Sequence, residues 1–107
     1  MREYLIVETR DAADHKDPQR MTELAVGISK TGAPVTIFLA ENGVFAARKG
    51  LENPLDEALA SGVRVAVDRF ALDERGIKPG ALRSGVAVED IELIVDHAAA
   101  GACVMWR

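Results

Sequence analysis

Apolar residues in this chain fall into short unbroken runs, and stretches with a helical repeat separate them from end to end. The runs are Tyr4–Val7, Val35–Leu39, Val63–Val67 and Ala102–Trp106. Strands covered on both faces of a parallel sheet read this way, because neither face meets water. A further short strand is expected at Val86.

Between the first two runs, Met21, Leu24, Ala25 and Ile28 recur at helical spacing. Asp17-Pro18 predicts the start of that helix, a capping side chain followed by proline at the first helical position, and Gly32 predicts its end. Asn53-Pro54 repeats the device, with Asp56 and Glu57 in the first turn, Leu55, Ala58 and Leu59 as the apolar stripe, and Gly62 as the stop. A short helix is expected from Phe70 to Arg75, closed by Gly76. In a last helix Ile91, Ile94, Val95 and Ala98 form the expected buried stripe, with Glu89, Asp90 and Glu92 at its start and Gly101 at its exit. Residues 9–17 and 77–85 read as loops, and Val44 to Lys49 as a helical turn.

Alternating strands and helices predict βαβ units with right-handed crossovers. The fold class is therefore α/β, a three-layer α/β/α sandwich with a mostly parallel sheet of four to five strands. At 107 residues the chain is expected to be a single domain, 1–107.

Composition narrows the partners. A net charge of -4, with no basic run, argues against nucleic acid and anionic membrane. No apolar run is long enough to span a bilayer and Met1-Arg2-Glu3-Tyr4 does not resemble a signal peptide, so a cytoplasmic location is expected. A single cysteine, Cys103, excludes an internal disulfide framework.

Ligands of open α/β sheets bind beyond the carboxyl ends of the strands. Thr9-Arg10-Asp11, Glu41-Asn42-Gly43, Asp68-Arg69 and Trp106-Arg107 are expected there. Asp68 stands where an apolar run stops and a helix starts. A helix cap accounts for it. The same helix start favours an anion, and would activate a thiol placed there. Cys103 lies inside the last apolar run, where burial makes a thiol inert, and its alternation with Met105 puts both on one face. His15 among Asp11, Asp14 and Asp17 matches no ligand spacing and reads as a solvated acidic loop, so no metal is expected. His97 sits near a helix end, a structural position. No phosphate-binding glycine loop, nucleophile elbow or zinc-protease motif occurs, and no cofactor is expected.

Three stretches carry a resemblance. Glu41-Asn42-Gly43-Val44, preceded by Thr31-Gly32-Ala33-Pro34-Val35-Thr36-Ile37-Phe38, resembles an acidic-Gly-Val turn after a second strand. Val65-Ala66-Val67 followed by Arg75-Gly76-Ile77 resembles a strand-turn-helix with its closing Arg-Gly-hydrophobic. Ala102–Trp106 resembles a final strand ending in tryptophan. In this order they are similar to the DsrE/DsrF/DsrH family of small sulfur-metabolism proteins, which includes the Tus sulfur-relay subunits. The resemblance implies a mostly parallel α/β/α fold and assembly into dimers, trimers or hexamers. In sulfur-transferring members a cysteine ends the third strand and accepts persulfide sulfur; here that position holds Asp68.

The expectation that follows is a DsrE/F-like subunit without the usual sulfur-accepting cysteine, acting as a partner, scaffold or ligand-binding protein. Asp68, Arg69, Asn42, Gly43 and Arg10 are its candidate ligand-binding residues. Two alternatives stay open: a sulfurtransferase using Cys103, and a module that binds an anionic metabolite through Arg10 and Arg69. A homo-oligomer is expected, with Val44-Phe45-Ala46-Ala47 and Leu51 as a candidate apolar patch. Other sulfur-relay proteins are further expected partners.

Overall fold

The structure is a computed structural model that describes residues 2–13, 15–50 and 53–107. Five strands, β1 (Tyr4–Glu8), β2 (Val35–Leu39), β3 (Arg64–Asp68), β4 (Val86–Glu89) and β5 (Cys103–Trp106), form one sheet in the order β4-β3-β2-β1-β5. All neighbours pair in parallel. The three-layer α/β sandwich and the strand at Val86 are as the apolar runs predict.

The connections explain the layers. From β1 to β4 the chain steps one strand at a time toward one edge, so its crossovers, α1 (Asp17–Lys30), α2 (Leu55–Ala60) and α3 (Arg69–Glu74), cover one face. The last connection, α4 (Glu92–Ala99), returns from β4 past three strands to place β5 beside β1, and covers the opposite face. Alternation along each strand feeds both layers. Ile6, Ile37, Leu39, Val65 and Val67 pack against Met21, Ala25, Leu55, Ala58 and Leu72 on the first face. Leu5, Val7, Phe38 and Ala66 pack with Leu93 of α4 on the second.

Several local expectations are corrected. Asp17 is not a cap: α1 begins at Asp17 itself with Lys16 before it, and no side chain caps the helix. Its carboxylate is turned to Arg107 instead. Pro18 still sets the first turn, and the buried stripe is Pro18, Met21, Thr22, Ala25 and Val26, with Leu24 exposed. In α4 the buried stripe is rotated from the expected one, of which Ile94 alone packs against the core. Leu93 faces the sheet and Ile94 is half-buried, while Ile91 and Val95 are exposed. Residues two apart on a helix point about 200° apart, so burying Leu93 turns both of those to solvent. His97, one turn after Leu93, is packed with its Nδ1 2.9 Å from the Leu93 carbonyl and its Nε2 2.8 Å from Glu3 Oε1.

Asn53 does hold the start of α2. Its Oδ1 accepts from the Leu55 amide at 2.8 Å, and its own amide donates to Asp56 Oδ2 at 3.2 Å. Among the described residues the expected apolar patch is largely covered. Within the 3-10 helix Glu41–Ala47, Val44 and Ala47 are buried, and the half-buried Phe45 ring lies under the guanidinium groups of Arg48 and Arg75. Leu51 lies outside the described residues. Among the described residues, the exposed large apolar side chains are Leu24, Phe70, Ile91, Val95 and Trp106.

Candidate functional site

Strand order reverses between β1 and β5, which makes the crevice beyond their carboxyl ends the place where such sheets bind ligands. Glu8 ends β1 there and is fully buried. Its backbone carbonyl accepts from the Ala40 amide at 3.0 Å, and its Oε2 accepts from the Arg10 amide at 3.1 Å. Gly43 packs so closely on the Glu8 carbonyl that a Cβ at position 43 would collide with it. The turn after β2 is thus seated directly on the end of β1. Glu41 opens that turn with φ 49, a left-handed conformation rare for a side-chain-bearing residue.

Among the described residues, Oε1 of Glu8 and Oδ2 of Asp17 have no partner apart from each other's carboxyl. The two carboxyls face each other across the first turn of α1 and are hydrogen-bonded, which requires one proton between them. Burial raises the Glu8 pKa above its ordinary value, and the bond to Asp17 adds to the rise while the Arg10 amide opposes it. At Asp17 burial also opposes ionisation. There the bond from Glu8 and the charges of Arg107 and Arg10 outweigh it and hold the pKa low. The two shifts run in opposite directions, so a proton held by the pair resides on Glu8.

Arg107 completes the corner. Its Nη2 donates to Asp17 Oδ1 at 2.7 Å, and its amide donates to the Val7 carbonyl at 2.8 Å. Its carbonyl accepts from both the amide and hydroxyl of Thr9, at 3.1 and 2.9 Å. A small pocket of about 10 Å³, enough for about one water-sized group, opens against Glu8 between α1 and the start of α2.

The other predicted residues separate. Gly43 and Arg10 belong to this pocket. Asp68 and Arg69 line a different, open groove with Phe70, Asp90 and Ile91. Asp68 is nearly buried and its Oδ2 accepts from the Ala71 amide at 3.3 Å, so it is the cap of α3. Arg69 is engaged with Asp90, Nε to Oδ1 at 3.0 Å. Asn42 joins neither place: its Oδ1 accepts from Arg75 Nε and Nη2 at 3.1 and 2.9 Å.

Cys103 begins the edge strand β5 and is half-buried opposite Tyr4, at the amino end of the sheet. Three strand spacings separate β5 from β3, so Asp68 lies roughly 14 Å across the sheet and about 16 Å along it. The loop acids near His15 do not converge either. Asp11 Oδ1 accepts from the Ala13 amide at 3.0 Å and Asp17 is turned inward, while Asp14 lies outside the described residues. Among the described residues no helix is long and apolar enough to cross a membrane.

In the sequence Glu8 falls between the apolar run and the loop with no reading of its own, and Asp17 reads as a helix cap. The available signal was an acid placed directly after the apolar run Tyr4–Val7.

No protein-family model matches the chain, and no curated protein matches it. Solved structures do. The YchN protein from E. coli superposes with a TM-score of 0.90 at 19% identity, over 100% of both chains. MTH1491 from Methanobacterium thermoautotrophicum, a protein of unknown function, gives 0.75 at 18%, over 99% of this chain and 98% of that one. BT1422 from Bacteroides thetaiotaomicron, a conserved protein of unknown function, gives 0.80 at 15%, over 98% and 94%. What this chain shares with them is the fold, from end to end.

Proposed function

We propose that this chain is a DsrE/F-like small protein associated with sulfur metabolism that carries no sulfur itself and serves as a partner, scaffold or ligand-binding member of such a system. One observation supports this reading above the others: Asp68, in the position where the resembling proteins keep a sulfur-accepting cysteine, is committed to capping α3. A carboxylate cannot form a persulfide. The alternative nucleophile, Cys103, starts an edge strand at the far end of the sheet from Asp68.

The reading includes homo-oligomeric assembly. Phe70 and Ile91 both line the groove beside Asp68 and are well exposed, which is the kind of surface that association covers. Affinity capture tests the biological context. The tagged chain is expected to retain at least one thiol-bearing sulfur-carrier protein from its native host, identified by mass spectrometry. Failure to enrich any such carrier over a tag-only control would remove the sulfur-metabolism reading.

A further inference from the structure

We infer that copies of this chain associate head to tail, the acid-rimmed apolar groove at the start of α3 receiving the cationic face around Phe45 of the next copy. This pairing rests on the homo-oligomeric reading and specifies which two surfaces meet.

Charge disfavours the simpler contact, in which the groove meets its own copy across a two-fold axis. Beside Phe70 and Ile91, which are 67% and 49% exposed, it is lined by Asp68, Arg69, Asp73, Asp90 and Glu92. Asp68 is spent on the helix cap, and Asp90 on Arg69 at 3.0 Å. Asp73 and Glu92 are exposed and make no salt bridge with a described residue. A two-fold contact would bring these carboxylates toward their own copies, while the arginine lining the groove is already paired. Like charges set opposite each other weaken such an interface.

A surface of the opposite charge lies on the same chain. A groove of about 600 Å³ runs past Phe45, Ala46 and Pro54, with Arg48 and Lys49 exposed on its rim. The one acid among its lining residues is Asp11. Arg48 is already held in place, its guanidinium 4.9 Å from the centre of the Phe45 ring and its Nε donating to the Phe45 carbonyl at 3.2 Å. A guanidinium ordered in advance loses less freedom when a carboxylate meets it. Lys49 makes no salt bridge with a described residue. Each face therefore offers apolar surface together with the charge that the other lacks. A pair joined through unlike faces keeps one of each open, so growth continues until a ring closes or a chain runs on.

Two variants and their mixture test this by sedimentation velocity at micromolar concentration and low salt. Phe70→Ser with Ile91→Ser removes one face, and Arg48→Glu with Lys49→Glu reverses the other. Each variant alone is expected to be a monomer with the parent's melting temperature. An equimolar mixture holds one working pair of faces, so it should form a dimer that grows no further. Lys49→Glu alone, at an exposed side chain, should weaken association of the parent roughly tenfold. Raising salt from about 0.05 to about 0.5 M should weaken it as well. A monomeric parent would overturn this pairing together with the assembly claim. An oligomer that survives Arg48→Glu with Lys49→Glu, unchanged affinity in Lys49→Glu, or a mixture that stays monomeric would overturn the pairing and leave assembly standing.

Discussion

The carboxyls of Glu8 and Asp17 meet at the carboxyl end of β1, and Arg107 Nη2 holds Asp17 Oδ1 at 2.7 Å. This one contact joins β1, the first turn of α1 and the residue after β5. It lies where the strand order reverses, so it stabilises the crevice and sets its charge together.

The pair makes stability depend on pH, and the sign follows from the two shifts. Glu8 has a raised folded pKa, so its contribution is complete below its ordinary 4.5 and is lost as pH rises through the folded value. Asp17 has a lowered one, so its contribution is present above 3.8 and is lost as pH falls through the folded value. Urea unfolding should therefore show the Glu8 contribution to stability declining above 4.5, with a limiting slope of about 1.4 kcal/mol per pH unit for one proton. Glu8→Gln should flatten that decline. Identical slopes in parent and variant would rule out the shared proton.

Gly43 is needed for close approach and not for a left-handed backbone. Its replacement by alanine forces a Cβ into the Glu8 carbonyl, and should destabilise the fold by roughly 1–3 kcal/mol. Gly80→Ala is the control, since nothing stands within 4 Å of the added carbon, and should stay within about 0.5 kcal/mol of the parent. Denaturant midpoints for the two variants decide it; equal midpoints would contradict the seating of the turn on β1.

Asp68 should behave as a cap. Asp68→Ala leaves the Ala71 amide without its acceptor and should cost about 1 kcal/mol, while Asp68→Asn, which keeps an acceptor oxygen, should cost less. Thermal melts of the two variants measure this directly. An Asp68→Ala variant as stable as the parent would mean that the carboxylate is kept for something other than the helix.

Phe70 and Ile91 should matter for association and little for folding, because both side chains are largely in water. Sedimentation of the parent is expected to give an oligomer, and Phe70→Ser with Ile91→Ser a smaller species of unchanged melting temperature. A monomeric parent at micromolar concentration would remove the assembly claim.

The sheet was legible because its strands are continuous apolar runs, and Tyr4–Val7, Val35–Leu39 and the run into Asp68 need no tertiary information to be read. Helix position was legible from Pro18, Pro54 and the stopping glycines. Helix rotation was not. Ile91, Ile94, Val95 and Ala98 satisfy a helical period as well as Leu93 and His97 do, and only packing against Leu5, Val7 and Phe38 chooses between them. Of the candidate site residues, Gly43 and Arg10 do meet at one pocket, while Asp68 is held by the helix cap that its position suggests and Asn42 by Arg75, a partner distant in sequence. Glu8 and Asp17 are nine positions apart, and the contact between them depends on how α1 returns across β1. No local pattern encodes that.

Cys103 is the only thiol of the chain, and under the proposed function it accepts no sulfur. Intact-mass spectrometry after incubation with a persulfide donor, with alkylation to trap any product, tests it in one step. The expected spectrum shows no sulfur adduct on the parent beyond that on a Cys103→Ser variant. A stoichiometric gain of one sulfur atom, abolished by Cys103→Ser and passed on to an acceptor thiol, would contradict the account.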